Sequence, residues 1–208
     1  MKVLFIVSEK GFWAEECFTP LNKISKKHEV TVATPTGEKP RPDEKSIEEG
    51  DQELMEENNE LNSPISVSKA YRKRQEYDAV VLPGGHGTLW DINQDVHVQQ
   101  ILKEKTEKGP ALVICHAVGI LGFTPELTEG REVTGFPNQW EDGQVDENEV
   151  RNGEKLPYRV EDLVKEAGAE WDAELDKDTS VTVDGNLITA RGPDSSEKGA
   201  EKFLEKAS

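Results

Sequence analysis

The chain has 208 residues, a mass of 23.2 kDa and a formal net charge of −17, with 25 basic against 42 acidic residues. That length suits one domain over residues 1–208, and no apolar run approaches the roughly 18 residues a membrane span needs. So acidic a balance argues against nucleic-acid partners, which need a basic surface, and the short apolar start from Val3 to Val7 lacks the length and cleavage site of a secretory leader.

In chain order, Lys2–Ser8 (KVLFIVS) is a continuous apolar run of strand length, the pattern of a parallel strand buried on both faces. Ala14–Lys27 spaces its apolar residues as a helix does, with Pro20 expected near the first turn, where a missing N–H is tolerated. Glu29–Thr34 (EVTVAT) is β-branched and strand-like. Ala79–Leu82 (AVVL) is a further buried strand that ends at Pro83-Gly84-Gly85. Asn93–Glu107 reads as a helix with Val96, Ile101 and Leu102 on its apolar side. Ala111–Ile114 (ALVI) is again a buried strand, Val160–Ala167 a helix stopped by Gly168. Val181–Ala190 holds the hairpin signal Asp184-Gly185 between two short strands, and Ser195–Lys206 closes as a helix. Short buried strands alternating with helices predict a three-layer α/β domain around a mostly parallel sheet.

Residues 37–76 break the rhythm. The segment opens with Pro40 and Pro42 and then carries Glu48, Glu49, Asp51, Glu53, Glu56, Glu57 and Glu60. It is too long for an ordinary connection, and it reads as an acidic surface insertion with some helix. The whole chain has 29 Glu, 13 Asp and 18 Lys. Acidic excess keeps a protein soluble by self-repulsion, and a salt-loving source is compatible with it, although such surfaces are usually poorer in lysine. Two cysteines, Cys17 and Cys115, cannot build a disulfide framework, so a reducing, cytoplasmic location is expected.

The sharpest chemical signal is ALVICHAVG, residues 111–119. A strand runs straight into Cys115 and His116 and then into small residues that can begin a helix, the sequence form of a nucleophile elbow. A helix N-terminus and His116 beside the sulfur would favour the thiolate and lower the pKa of Cys115. In VVLPGGHGTLWD, residues 80–91, the glycines permit a backbone that aims N–H groups into a site, as an oxyanion hole requires. Glu16 (AEECFTP) lies just past the first strand; by itself it reads as a surface glutamate. VTGFPNQWED, residues 133–142, could bring Glu141 or Asp142 to His116 as an orienting acid, and the residues alone do not choose between them. His86 and His28 match no metal-ligand spacing, so no metal site is expected.

Together these segments resemble the ThiJ/PfpI (DJ-one) superfamily of the class I glutamine-amidotransferase-like fold, and within it the Hsp31-like branch of glyoxalase III enzymes and holding chaperones. The marks run through the whole chain: KVLFIVS, EECFTP, KPRPDEKSI, YDAVVLPGGHGTLWD, ALVICHAVGIL, VTGFPNQWED, LPYRVEDLVKEAGAEW and VTVDGNLITARGPDSS. The resemblance implies a flavodoxin-like three-layer sandwich with a nucleophile elbow. It implies Cys115 as nucleophile, His116 as its partner, Glu16 in contact with the thiol and Glu141 as the acid, with Asp142 in reserve. It also implies an oxyanion hole from the N–H groups of Gly85 and His116, flanked by Gly84 and His86. The chain departs from the family where Ala117 and Val118 follow the elbow, where Cys17 stands beside Glu16, and where Gly192-Pro193-Asp194-Ser195 replaces the frequent Asn-Pro-Ala-Ser. Ala117 and Val118 are expected to narrow the space behind the thiol.

The activity so implied is a cofactor-free, glyoxalase III-type lyase that converts methylglyoxal or related small dicarbonyls to hydroxy acids. The alternatives are a holding chaperone for unfolded clients, or a cysteine peptidase, amidase or deglycase using the same residues. A homodimer is the family's frequent state.

Overall fold

A strand that is apolar at every position needs two covered faces, and the computed structural model, which describes residues 1–144, 150–151, 154–172 and 180–208, supplies them. The central sheet has seven strands: β1 (Lys2–Ile6), β2 (Glu29–Thr34), β3 (Ile65–Ser66), β4 (Ala79–Leu82), β5 (Ala111–Ile114), β10 (Val181–Asp184) and β11 (Leu187–Ala190). The intervening two-residue strands β6 (Glu132–Val133), β7 (Val150–Arg151), β8 (Glu154–Lys155) and β9 (Glu170–Trp171) pair as β6–β9 and β7–β8. The central order is β10-β11-β5-β4-β1-β2-β3, all parallel except β10, which returns against β11 as a hairpin through Gly185 at φ 58°.

The helices are α1 (Ala14–Ile24), α2 (Asp51–Glu57), α3 (Asn59–Asn62), α4 (Val67–Arg72), α5 (Thr88–Asp91), α6 (Val96–Lys108), α7 (Pro125–Thr128), α8 (Asn138–Gln144), α9 (Val160–Glu166) and α10 (Ser196–Lys206). Strand side chains alternate between the two faces. Val3 and Phe5 of β1, Val81, and Leu112 and Ile114 of β5 meet Phe18, Leu21 and Ile24 of α1 and Phe203 of α10. Leu4, Ile6, Leu82 and Val113 point the other way, to Val98, Ile101 and Leu102 of α6 and Val160 and Val164 of α9. This is the flavodoxin-like α/β arrangement, helices on both sides of a mostly parallel sheet. Strand order reverses at β1, so the carboxyl ends of β1 and β4, with β5 beside them, open the crevice where ligands of such sheets bind. Among the described residues, no helix is long and apolar enough to cross a membrane.

Two local expectations need correction. Val96 is 68% exposed, because Asp95 caps α6 by accepting from the His97 and Val98 amides; Val96 thus becomes the first helical residue, on the solvent side, and Val98 takes the buried place. Pro20 sits in the second turn of α1, not the first, which denies the Glu16 carbonyl its usual i+4 donor. Residues 37–76 supply β3 at the sheet edge and bury Met55, Leu61, Val67 and Ala70, while Glu48, Glu49, Glu56 and Glu60 are exposed. The same segment reaches the start of α1: the Ser46 hydroxyl accepts from the Ala14 amide at 3.0 Å, doing the work of an N-cap that Trp13 cannot do.

Candidate active site

At the end of β5 the chain turns through Cys115 with φ 56°, the one non-glycine residue among those described in the left-handed region, and continues as a nine-residue 3-10 helix, Cys115–Phe123. A side chain there costs about 1–2 kcal/mol, so the turn is held by its surroundings. One of the restraints is Asn93, whose amide donates to the His116 carbonyl at 2.9 Å and which also contacts the Tyr158 hydroxyl at 3.0 Å.

The loop after β4 packs against the loop after β1. Trp13 donates its amide to the Gly84 carbonyl at 3.1 Å, and Gly87 donates to the Gly11 carbonyl at 3.1 Å. Below them, Asp91 accepts from the Ser8 hydroxyl and from the Glu9 and Lys10 amides, which fixes the exit from β1. Two glycines are sterically required here. A Cβ on Gly84 would land on the Glu16 carboxylate and lie 2.7 Å from Cys115 Cβ; one on Gly85, at φ 102°, would lie 2.5 Å from the Trp13 amide nitrogen.

α1 delivers Glu16 into this junction, fully buried. Burial drives its pKa up to about 8, against the Cys115 thiol and the Gly84 amide, which both favour the carboxylate. Neither carboxyl oxygen has a partner at full hydrogen-bond geometry, as expected of an acid kept largely neutral. The Cys115 thiol is likewise pushed up, first by burial and then by Glu16, while the amides of His116 and Gly85 pull the other way. The expectation of a lowered thiol pKa is therefore corrected. The sulfur is buried, and its nearest acid repels a second negative charge, so the Glu16–Cys115 pair gives up one proton well before it could give up both.

On the other side of the sulfur, His116 Nδ1 lies 3.3 Å from Sγ. Its Nε2 lies 2.8 Å from Glu141 Oε2, and His86 Nε2 lies 2.7 Å from Glu141 Oε1. One carboxylate thus binds two imidazoles, whose rings lie 3.9 Å apart. Burial would raise the Glu141 pKa, but the hydrogen bonds from His116 and His86 outweigh it and hold the acid below the usual carboxylate range. Burial, with His86 next, lowers the His116 pKa to about 4, Glu141 opposing. The neutral imidazole then carries its proton on Nε2 and leaves Nδ1 free to accept from the thiol. Phe136 stacks on His116 at 4.2 Å between centroids and fixes the ring plane.

Cys115, His116, Glu16, Glu141, Gly84, Gly85 and His86 therefore meet at one crevice. Asp142, the reserve acid, points away and pairs with Arg159 at 2.6 Å. Ala117 and Val118 do not narrow the space behind the thiol: both are fully buried in the core on the α6 side of the sheet. Cys17 is fully buried against the α1 face, its thiol pushed up by burial. The cavity has a volume of about 310 Å³, and besides the catalytic candidates it is walled by Trp13, Phe136, Trp140, Pro193 and Asp194. Sequence does not single out these five as site residues, although Phe136 and Trp140 fall inside FPNQWE, Pro193 and Asp194 inside GPDS, and Trp13 just before Glu16. The oxygen and nitrogen atoms of His86, His116 and Glu141 lie within 4.8 Å of one another, so this trio has the donor set for a metal ion; as hydrogen-bonded imidazoles on a carboxylate it is already satisfied.

Access decides which thiol oxidises. Dilute peroxide followed by peptide mass mapping should find sulfenic or sulfinic acid on Cys115, which lines the cavity, and leave Cys17 intact. Preferential modification of Cys17 would contradict this geometry.

A sequence model of the family described as DJ-1/PfpI family matches residues 1–206. Among curated relatives, a deglycase from Thermococcus kodakarensis is 30% identical, with 93% of this chain and 91% of that protein aligned. Glyoxalase 3 from Candida albicans is 25% identical over 93% of this chain and 88% of its own length. The solved structure of glyoxalase III from Candida albicans superposes with a TM-score of 0.84 at 24% identity, over 99% of this chain and 97% of that one, a likeness of fold.

Proposed function

Because the chain belongs to the DJ-1/PfpI family, we propose that it is a cofactor-independent glyoxalase of the glyoxalase III type, which converts methylglyoxal or a related small dicarbonyl to the hydroxy acid. The observation that carries this reading is the sulfur of Cys115 set between the buried carboxyl of Glu16 and Nδ1 of His116, in one cavity. Two proton-handling groups of different basicity on one nucleophile suit an isomerisation that must take a proton from one carbon and return it to the next.

In this mechanism the Cys115 thiol passes its proton to His116 Nδ1, and the sulfur adds to the aldehyde carbon. The carbonyl oxygen gains the proton and becomes the hydroxyl of a hemithioacetal. The Gly85 and His116 amides stabilise the oxyanion as it develops. Glu16, once ionised, removes the hydrogen from that carbon to give an enediolate and returns it to the neighbouring carbon, while the hydroxyl proton passes through His116 to the oxygen on that neighbouring carbon, leaving a thioester. Water then cleaves the thioester to the hydroxy acid and the free thiol. Glu141 keeps His116 in the accepting tautomer, and His86 shares that carboxylate. No step calls on a metal or cofactor.

The test is lactate formation from methylglyoxal without glutathione, followed against pH. Turnover should rise with an apparent pKa near 8, where the Glu16–Cys115 pair loses its first proton. A pH-independent rate between about 6 and 9, or a requirement for glutathione, would overturn the proposal. Relatives named deglycases support a second reading, removal of dicarbonyl adducts from amines by the same thiol. Adduct loss that persists while free methylglyoxal is continuously scavenged would favour it.

A further inference from the structure

Asp194 is exposed and lines the cavity from the short turn Pro193–Ser195 between β11 and α10. Facing the same space are Trp13, Phe136 and Trp140, and among the described residues no lysine or arginine lines it. The cation next to this wall, Arg191, is fully buried. Its guanidinium sits 5.9 Å from the Trp140 ring centroid and is held by the Asp172 carboxylate at 3.5 Å and the Asp172 carbonyl at 2.8 Å, so its charge is spent there. Beyond Trp13 the surface continues as a groove of about 300 Å³ whose charged lining is Glu15, Glu48, Asp51 and Lys45, three carboxylates against one ammonium. Burial, followed by the carboxylates of Asp194, Glu48 and Asp51, raises the pKa of Glu15, which places Asp194 within electrostatic reach of that rim.

We propose that Asp194, with Trp13 and Trp140, makes this cavity select aldehyde substrates whose far end is neutral or cationic and reject those that end in a carboxylate or phosphate. The inference rests on reading the cavity as the reaction site. The aromatic walls attract a cation through their ring quadrupoles and offer an anion nothing. The Asp194 carboxylate adds a full charge at the mouth, where a substrate's tail must lie while its aldehyde is at the sulfur. The net charge of −17 pushes in the same direction but acts from a distance and is screened.

The probe is the rate at which Cys115 is modified by three methanethiosulfonates: neutral methyl, cationic trimethylammonioethyl and anionic sulfonatoethyl. In each case the thiolate displaces sulfinate and forms a mixed disulfide. Rates are divided by those of a small free thiol, and the label is mapped by mass. In the native protein the cationic reagent should outrun the anionic one by about tenfold after this correction, and Asp194→Asn should cut the preference about fivefold, the scale of one nearby screened charge. Asp194→Lys should invert it. Glu107→Gln removes the same net charge from the exposed end of α6, beside the start of β5 rather than its carboxyl end, and should leave the ratio unchanged. A ratio that stays put in both Asp194 variants, or that moves as much in Glu107→Gln, overturns the proposal. Labelling does not need turnover, so absence of lactate with the charge preference intact would count against the glyoxalase reading alone.

Discussion

Cys115→Ala should abolish dicarbonyl turnover, a loss of at least about 10⁴-fold, while leaving the fold in place. Among the described residues that line the cavity Cys115 is the one thiol; Glu16 is held largely protonated, and His116 faces the sulfur with its one free nitrogen. The structural cost is small. Alanine keeps a Cβ at φ 56°, so the strain of the elbow is unchanged, and what is lost is the sulfur's long contact to His116 Nδ1 and its weak contacts to Glu16 and the Gly85 and His116 amides, each worth about 1 kcal/mol or less. Cys115→Gly should be equally inactive yet melt above Cys115→Ala, because only glycine occupies that φ without a steric cost. Lactate formation and thermal unfolding on the same samples check both statements. A tenth of the native rate surviving in Cys115→Ala would remove the thiol from the chemistry. A holding chaperone would behave differently again, with suppression of client aggregation unaffected by either substitution.

The parts of this site that are legible in the sequence are those governed by the backbone. Four apolar residues in a row, 111–114, fit a strand covered on both sides, and the abrupt change to Cys115-His116 marks its carboxyl end. Pro83-Gly84-Gly85 marks the end of β4 in the same way, and parallel strands bring those two ends together. What stays hidden depends on side chains meeting across long separations. The choice of Glu141 over Asp142 is a matter of helical phase: one step along α8 turns a carboxylate from the buried imidazoles to Arg159 at the surface. His86 as a second donor to Glu141 is invisible because it comes 55 residues earlier and its loop gives no direction for the ring. The sign of the Cys115 shift escapes the sequence for a related reason. An adjacent histidine and a helix start can be read from the chain, and the family resemblance brings Glu16 to the thiol, whereas the complete burial that raises both groups cannot be read.

Glu16→Gln and Glu141→Gln should separate two acids that one proposed mechanism uses differently. Glutamine at position 16 copies the shape of the protonated acid but can neither take nor return a proton, so turnover should fall about 10³- to 10⁴-fold, while alkylation of Cys115 continues. Glutamine at position 141 still has one oxygen and one N–H₂. The oxygen can keep accepting from His116 Nε2 if the amide faces His86 and that ring moves its proton to Nδ1. His116 then stays in the accepting tautomer, and what is lost is the stabilisation of its charged form, about 10- to 100-fold. Equal losses in the two variants would end this division of roles.

Stability supplies an independent check on the first acid. In the unfolded chain Glu16 ionises near pH 4.5, and in the folded protein near 8. Between those values the folded state holds a proton that the unfolded chain has released, so each upward step in pH favours unfolding; above about 8 the penalty is constant. An uncharged amide at this position never ionises and escapes the penalty. The stability of Glu16→Gln relative to the native protein should therefore rise by about 3 kcal/mol between about pH 5 and pH 8 in urea titrations. Were that difference flat with pH, Glu16 would be ionised throughout, and it could not be the group that waits protonated beside the sulfur until the first proton leaves.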